Sequence, residues 1–195
     1  MPDPVALGFD TSAAHCAAAL LRGDAVLGQM QEDMAKGQVE RLFPLLDDLL
    51  AQTGLGWRDL DVIGVGVGPG NFTGVRIAVA GARGLALSLG IPAVGVTATE
   101  AAAHGLPRPC RVVLPLRGGQ IVWEDFGAGA GGPHQAAADA LPPGPASAPP
   151  AMPPALAIAR IAAARRADPG PRPAPLYLRP ADAAPAREAP PPVLP

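Results

Sequence analysis

Asp10, Thr11 and Ser12 stand together at the end of the apolar stretch Val5-Ala6-Leu7-Gly8-Phe9. A carboxylate followed by two hydroxyls can position a metal-bound nucleotide or a water, with hydroxyl and backbone N–H groups holding phosphate oxygens. The triplet is short, however, and a satisfied strand-end turn is the commoner explanation of such a run. Gly68-Pro69-Gly70-Asn71-Phe72-Thr73-Gly74-Val75-Arg76 is denser. Its three glycines permit tight backbone approach and would aim free N–H groups outward at the start of a helix. It has neither the dinucleotide-binding spacing nor the Lys-Ser/Thr of a Walker loop. Two readings stand: an anion- or partner-contacting loop, and a tight strand-to-helix connection.

The remaining reactive residues are scattered. His15, His104 and His134 have no second ligand at helical spacing and read as surface or loop histidines. Cys16 and Cys110 read as two reduced, mostly buried thiols. No metal set is proposed, and no Ser/His/Asp or Cys/His arrangement supplies a nucleophile.

These motifs need elements to hold them. Residues 5–10 read as a buried strand, and 17–21 and 25–31 as two more around the turn at Arg22-Gly23-Asp24, together a meander. Val39, Leu42, Phe43, Leu46, Leu49 and Leu50 recur at helical spacing, predicting a helix over 37–52 that kinks or breaks at Pro44. A strand at 62–67 leads into the glycine motif. A second helix over 73–89 sets Val75, Val79, Ala82, Ala86 and Leu89 on one side, with Arg76 and Arg83 sharing a face. A strand at 93–96 and a short helix near 100–104 follow. Segments 111–116 and 120–126 read as a hairpin, 127–155 as loop or disorder, 155–166 as one helix, 169–175 as a polyproline-like segment, and the tail as disordered.

Proline and charge divide the chain. Of 26 prolines among 195 residues, five lie in 1–105 and 21 in 106–195. The first part carries six Lys/Arg against eleven Asp/Glu, the second nine against six. The net charge of −2 argues against a free-standing nucleic-acid binder. No apolar run approaches the roughly 18 residues needed to span a bilayer, and Asp3 and Asp10 exclude a signal peptide, so a cytoplasmic protein is expected.

Four segments carry a resemblance: Asp10-Thr11-Ser12, residues 37–45, the glycine motif at 68–76, and Gly84-Leu85-Ala86-Leu87-Ser88-Leu89-Gly90-Ile91-Pro92. They resemble the TsaB (YeaZ) family, bacterial proteins needed to make threonylcarbamoyladenosine in tRNA. The match covers about 5–126 and resumes at Leu176-Tyr177-Leu178-Arg179-Pro180. The resemblance implies an α/β, actin-like (sugar-kinase-like) ATPase fold of two lobes: an N-terminal lobe over 1–105 and a reduced Pro/Ala-rich lobe over 106–195.

It also implies a non-catalytic scaffold that binds a TsaD-like transferase as a heterodimer through its two N-lobe helices. The interface residues expected there are Val39, Leu42, Phe43, Leu46, Val75, Val79, Ala82 and Arg83. A TsaE-like ATPase would join a larger complex, tRNA would be met only through that complex, and the chain alone would form a homodimer. ATP or ADP is expected at the partner interface, with Asp10, Thr11 and Ser12 as nucleotide contacts and no cofactor held by this chain itself. The motif residues carried over are Gly68, Pro69, Gly70, Phe72, Thr73, Gly74 and Arg76. The rival readings are an independent ATPase using Asp10, Thr11 and the glycine loop, and a metallopeptidase-like enzyme. Ala98 and Ala102 stand where the transferase relative has its two metal-binding histidines, with Glu100 between them. Gln38-Val39, Asn71 and Pro115 are further departures from the family pattern.

Overall fold

The unbroken apolar run of the first strand demands cover on both sides of a sheet, and the chain supplies it from two distant places. The computed structural model describes residues 3–127 and 131–178. Strands β1 (Val5–Asp10), β2 (His15–Arg22) and β3 (Ala25–Asp33) form the expected antiparallel meander. β4 (Val62–Gly66) joins β1 in parallel, and β5 (Ala93–Val96) joins β4 in parallel, giving the order β3-β2-β1-β4-β5. This is a mixed α/β sheet with helical connections, as the resemblance implies.

One face is covered by α1 (Gln38–Thr53) and α2 (Phe72–Leu89). Leu42, Leu45, Leu46 and Leu49 of α1 are fully buried against Leu7, Phe9, Leu20, Ile63 and Val65 of the strands. Pro44 neither kinks nor ends the predicted helix. It lies on the exposed side of α1, where a missing N–H leaves a carbonyl that water can reach. By length and composition α2 could cross a membrane, which the run-length reading did not anticipate. Its buried residues Gly74, Val75, Ala78, Val79 and Ala82 instead lie against the sheet, and Arg76 interrupts its outer face.

The opposite face is covered by α4 (Pro154–Ala164), and α3 (Ala98–Ala103) packs against α4 and the strands of the second sheet. Here the strands present Ala6, Gly8, Ala17, Ala19 and Gly64. Gly8 and Gly64 are in-register partners across β1 and β4. A side chain on Gly8 would collide with the backbone of Ala155 and Ala159, and one on Gly64 with the Ile158 carbonyl. Backbone therefore lies directly on backbone, which only glycine allows. α4, which lies within the 106–195 stretch, packs on the first sheet, with seven of its eleven residues buried.

The second sheet is small. β6 (Cys110–Pro115) and β7 (Gln120–Phe126) form the expected hairpin, and β8 (His134–Ala137) adds an antiparallel edge. β8 falls within the stretch read as loop. It has no large apolar residue, and its ordering comes from pairing with β7 and from the His134 ring on Trp123, centroids 4.8 Å apart. Buried Arg111 reaches the loop that follows: it pairs with Asp125 at 2.5 Å, stacks on Trp123 and donates to the Pro142 carbonyl. Both cysteines are free and buried, as expected. Arg179, Pro180 and the tail read as disordered lie outside the described residues.

Candidate functional site

Two features meet at the start of α2: a cleft between the sheets and a groove on the α1–α2 face. The cleft has a volume of about 1050 Å³. Its floor is the end of β1. Ser12 donates to Asp10 twice, from Oγ to Oδ2 at 2.9 Å and from N–H to Oδ1 at 3.2 Å. His15 Nε2 lies 2.8 Å from Asp10 Oδ2. The hydrogen bond to Asp10 raises the His15 pKa above its ordinary value, against the opposing effect of burial. Sequence reading placed His15 on the surface. Its partnership is invisible in spacing because it depends on β2 turning back beside β1. Among the described residues no group of His, Cys, Asp or Glu is arranged to hold a metal.

The glycine motif lies against that floor. Thr11 Oγ1 donates to the Gly74 carbonyl at 2.7 Å, and Asn71 N–H donates to the Ser12 carbonyl at 2.6 Å. A side chain on Gly70 would strike the Ser12 carbonyl, and one on Gly74 the Thr11 carbonyl. The N–H groups of Thr73 and Gly74 donate to Asn71 Oδ1 at 3.0 and 3.3 Å. These donors were expected to point outward; the Asn71 side chain caps them instead. Of the two readings of the motif, tight connection accounts for Gly70 and Gly74. Gly68 and Pro69 continue the loop, and the Gly68 carbonyl accepts from Ala98 N–H at 2.8 Å.

Opposite the floor, the cleft wall is largely apolar: Ala98, Ala101, Ala102, Leu114, Pro115 and Ile158 line it. Behind it Thr99 of α3 donates to Glu124 of β7 at 2.5 Å, tying the helix that follows the first sheet to the second sheet. Burial pushes the Glu124 carboxyl upward, only partly offset by the Thr99 bond, and nearby Glu100 pushes the same way. No sequence motif marked Glu124.

The groove is the second feature. Val39, Phe43, Phe72, Ile77, Ala80 and Gly84 contribute to it. Val39 is 59 % exposed, Phe43 44 % and, on the same outer side of α2, Leu87 82 %. These are large apolar groups left in water on one side of the two helices. Five of the eight expected interface residues are not part of it. Leu42, Leu46, Val75, Val79 and Ala82 point into the sheet and are buried. A helix lying on a sheet must spend its strongest apolar stripe inward, which leaves only the neighbouring stripe exposed. Val39, Phe43 and Arg83 remain exposed there; Phe72, singled out in the glycine motif, joins them, and Ile77, Ala80, Gly84 and Leu87 are the residues that sequence reading did not assign to this face. The exposed phenylalanine at i+4 from an exposed valine was the available signal.

Phe72 walls both cleft and groove. The Arg76 guanidinium lies 3.6 Å over the Phe72 ring, and its Nε donates to the Tyr177 hydroxyl at 2.8 Å. Tyr177 stacks on Phe72, centroids 4.9 Å apart, and the Leu176 N–H donates to the Val67 carbonyl at 2.8 Å.

With this geometry in view, the comparisons are informative. The family model described as TsaD, tRNA N6-adenosine threonylcarbamoyltransferase, matches residues 28–120. The tRNA threonylcarbamoyladenosine biosynthesis protein TsaB of Escherichia coli is 32 % identical over 125 residues, 62 % of this chain and 54 % of that protein. The chain thus spans about half the length of that relative, and similarly 48 % of the Haemophilus influenzae TsaB. The uncharacterized protein Rv3421c of Mycobacterium tuberculosis is 33 % identical over 197 residues, 92 % of this chain and 93 % of that one. YeaZ from Pseudomonas aeruginosa superposes with a TM-score of 0.70 at 25 % identity, covering 90 % of this chain and all of that structure. Fold, motif and near-complete coverage agree, and the chain belongs to the TsaB/YeaZ family.

Proposed function

We propose that this chain is a non-catalytic scaffold that binds and activates a TsaD-like transferase in the cytoplasm, for threonylcarbamoyl modification of adenosine in tRNA. The observation that carries the reading is the groove between α1 and α2, where Val39, Phe43, Ile77, Ala80 and Leu85 are gathered beside exposed Leu87. Apolar surface of this kind gains most from another helical face laid along it. Family membership supports a transferase partner, and the same face suits a homodimer when that partner is absent. A TsaE-like ATPase and tRNA enter through the larger complex, with ATP or ADP near the partner interface.

The test moves to residues that point outward. Ala80→Glu places a charge in the groove without touching the sheet core. The expected outcome is loss of co-purification with the transferase, and of self-association in sedimentation, with an unchanged far-UV CD spectrum. Retained binding by Ala80→Glu and by Phe43→Asp would place the interface elsewhere.

A second reading, an independent ATPase, draws on Asp10, Ser12 and His15 in the cleft. ATP hydrolysis by the purified chain, lost in Asp10→Asn, would favour it over the scaffold. A metallopeptidase-like activity finds no such support, since Ala98 and Ala102 offer no ligand atoms.

A further inference from the structure

Arg76 is the charged point on an otherwise apolar groove, and three contacts fix it. Its plane lies over Phe72 at 3.6 Å, the Tyr177 ring flanks it at 5.8 Å, and its Nε is used by the Tyr177 hydroxyl. Nothing comparable occupies the other edge of the guanidinium. Among the described residues no carboxylate lies within ion-pairing distance of Arg76 or of Arg83. Arg41 is held by Glu32 and Asp48, Arg111 by Asp125 and Arg165 by Glu100, whereas Arg76 is held by aromatic rings and the Tyr177 hydroxyl alone. No acidic residue occurs anywhere along α2 to neutralise Arg76 or Arg83.

An arginine stacked on aromatic rings has already lost most of its side-chain freedom, while its terminal N–H groups stay in plane and available. That is the arrangement that receives a carboxylate end-on or bidentately. We infer that Arg76 is the specificity-determining residue of the groove. It accepts a partner whose apolar helical face ends, at the Phe72 side, in an Asp or Glu side chain. Tyr177 is its positioning residue. It approaches from a segment about a hundred positions away in sequence, anchored by Leu176 on the end of β4. The inference rests on the docking reading given above and specifies the chemistry of the partner's contacting edge.

The full-length chain and a purified TsaD-family transferase provide the assay, with affinity measured by titration calorimetry over a range of NaCl concentrations. Arg76→Gln is expected to weaken binding about tenfold and to flatten its salt dependence, because the screened charge pair is gone. Tyr177→Phe keeps the stack but frees Nε. A smaller loss, about threefold, with the salt dependence retained, is expected of a positioning residue. Tyr177→Ala should approach Arg76→Gln in affinity. Ala80→Glu serves as the control for docking itself.

Unchanged affinity and salt dependence in Arg76→Gln, with Ala80→Glu abolishing binding, would overturn the carboxylate inference and leave the docking reading intact. Unchanged binding in Ala80→Glu would overturn both. If Arg76→Gln weakens binding but Tyr177→Ala does not, the positioning role is wrong.

Discussion

The two faces of the five-stranded sheet are built on opposite principles. Toward α1 the contact is made of side-chain volume, with Leu42, Leu45, Leu46 and Leu49 meshing with Leu7, Phe9 and Ile63. Toward α4 it is made of the absence of volume, with Ala155, Ala159 and Ala162 resting on Gly8 and Gly64. Both close the core, yet they respond to substitution in opposite ways. A leucine layer tolerates loss by leaving a cavity, at a finite cost. A glycine–alanine layer has no slack for gain, because the colliding atoms are backbone.

Two substitutions probe the contrast. Gly64→Val is expected to do most: its new atoms meet the Ile158 carbonyl, and α4 must lift from the sheet. A loss above about 4 kcal/mol is expected, enough to prevent two-state folding in urea denaturation. A variant that melts within a few degrees of the parent would show that α4 can slide and that the close fit is incidental. Leu46→Ala should cost about 3 kcal/mol with the fold retained. If it matched Gly64→Val, the two faces would not differ in kind.

The smallest effect concerns the tie from α3 to the second sheet. Glu124 has a pKa raised above 4.5 by burial. The folded state therefore holds a proton that the unfolded chain releases, and stability falls as pH rises from about 4.5 through the folded pKa. Above that window the cost of the buried charge persists. The groups facing it are Thr99, Glu100 and, across the sheet, His134. Glu124→Gln keeps an acceptor for Thr99 and removes the charge. The expected result is a flatter stability profile above pH 4.5 and a higher urea midpoint at pH 7.5 than the parent. An identical pH profile in both proteins would mean that another group controls this range. His15 adds a slope of the same sign at higher pH. Its pKa is raised by Asp10, so its contribution is complete below about 6.5 and is lost as pH rises through the folded value.

Much of this architecture can be read directly from residue patterns. The 3.6-residue recurrence from Val39 to Leu50 locates α1, and the short apolar runs of β1 and β4 identify the sheet. What escapes is long-range. Leu42 and Val79 look like interface residues because periodicity finds an apolar stripe without saying what covers it. Val39 and Phe43, one position round the helix, carry the exposed surface. Residues 155–166 are identifiable as a helix, but nothing local announces a destination on Gly8 and Gly64. β8 shows no strand signal because its partner, β7, supplies the reason for it. The Asp10–His15 pair and the Arg76–Tyr177 contact likewise depend on chain crossings that spacing cannot encode.

The position of α4 has a consequence for synthesis. A ribosome that has released the first 126 residues has delivered every strand of the larger sheet, yet one broad side of it still lacks its cover. Until Pro154–Ala164 emerges, an apolar surface of Ala6, Ala17, Ala19, Leu21, Val62 and Val94 stays open to solvent and to neighbouring nascent chains. The glycine-, alanine- and proline-rich stretch between them then acts as a delay line, setting how long that surface waits.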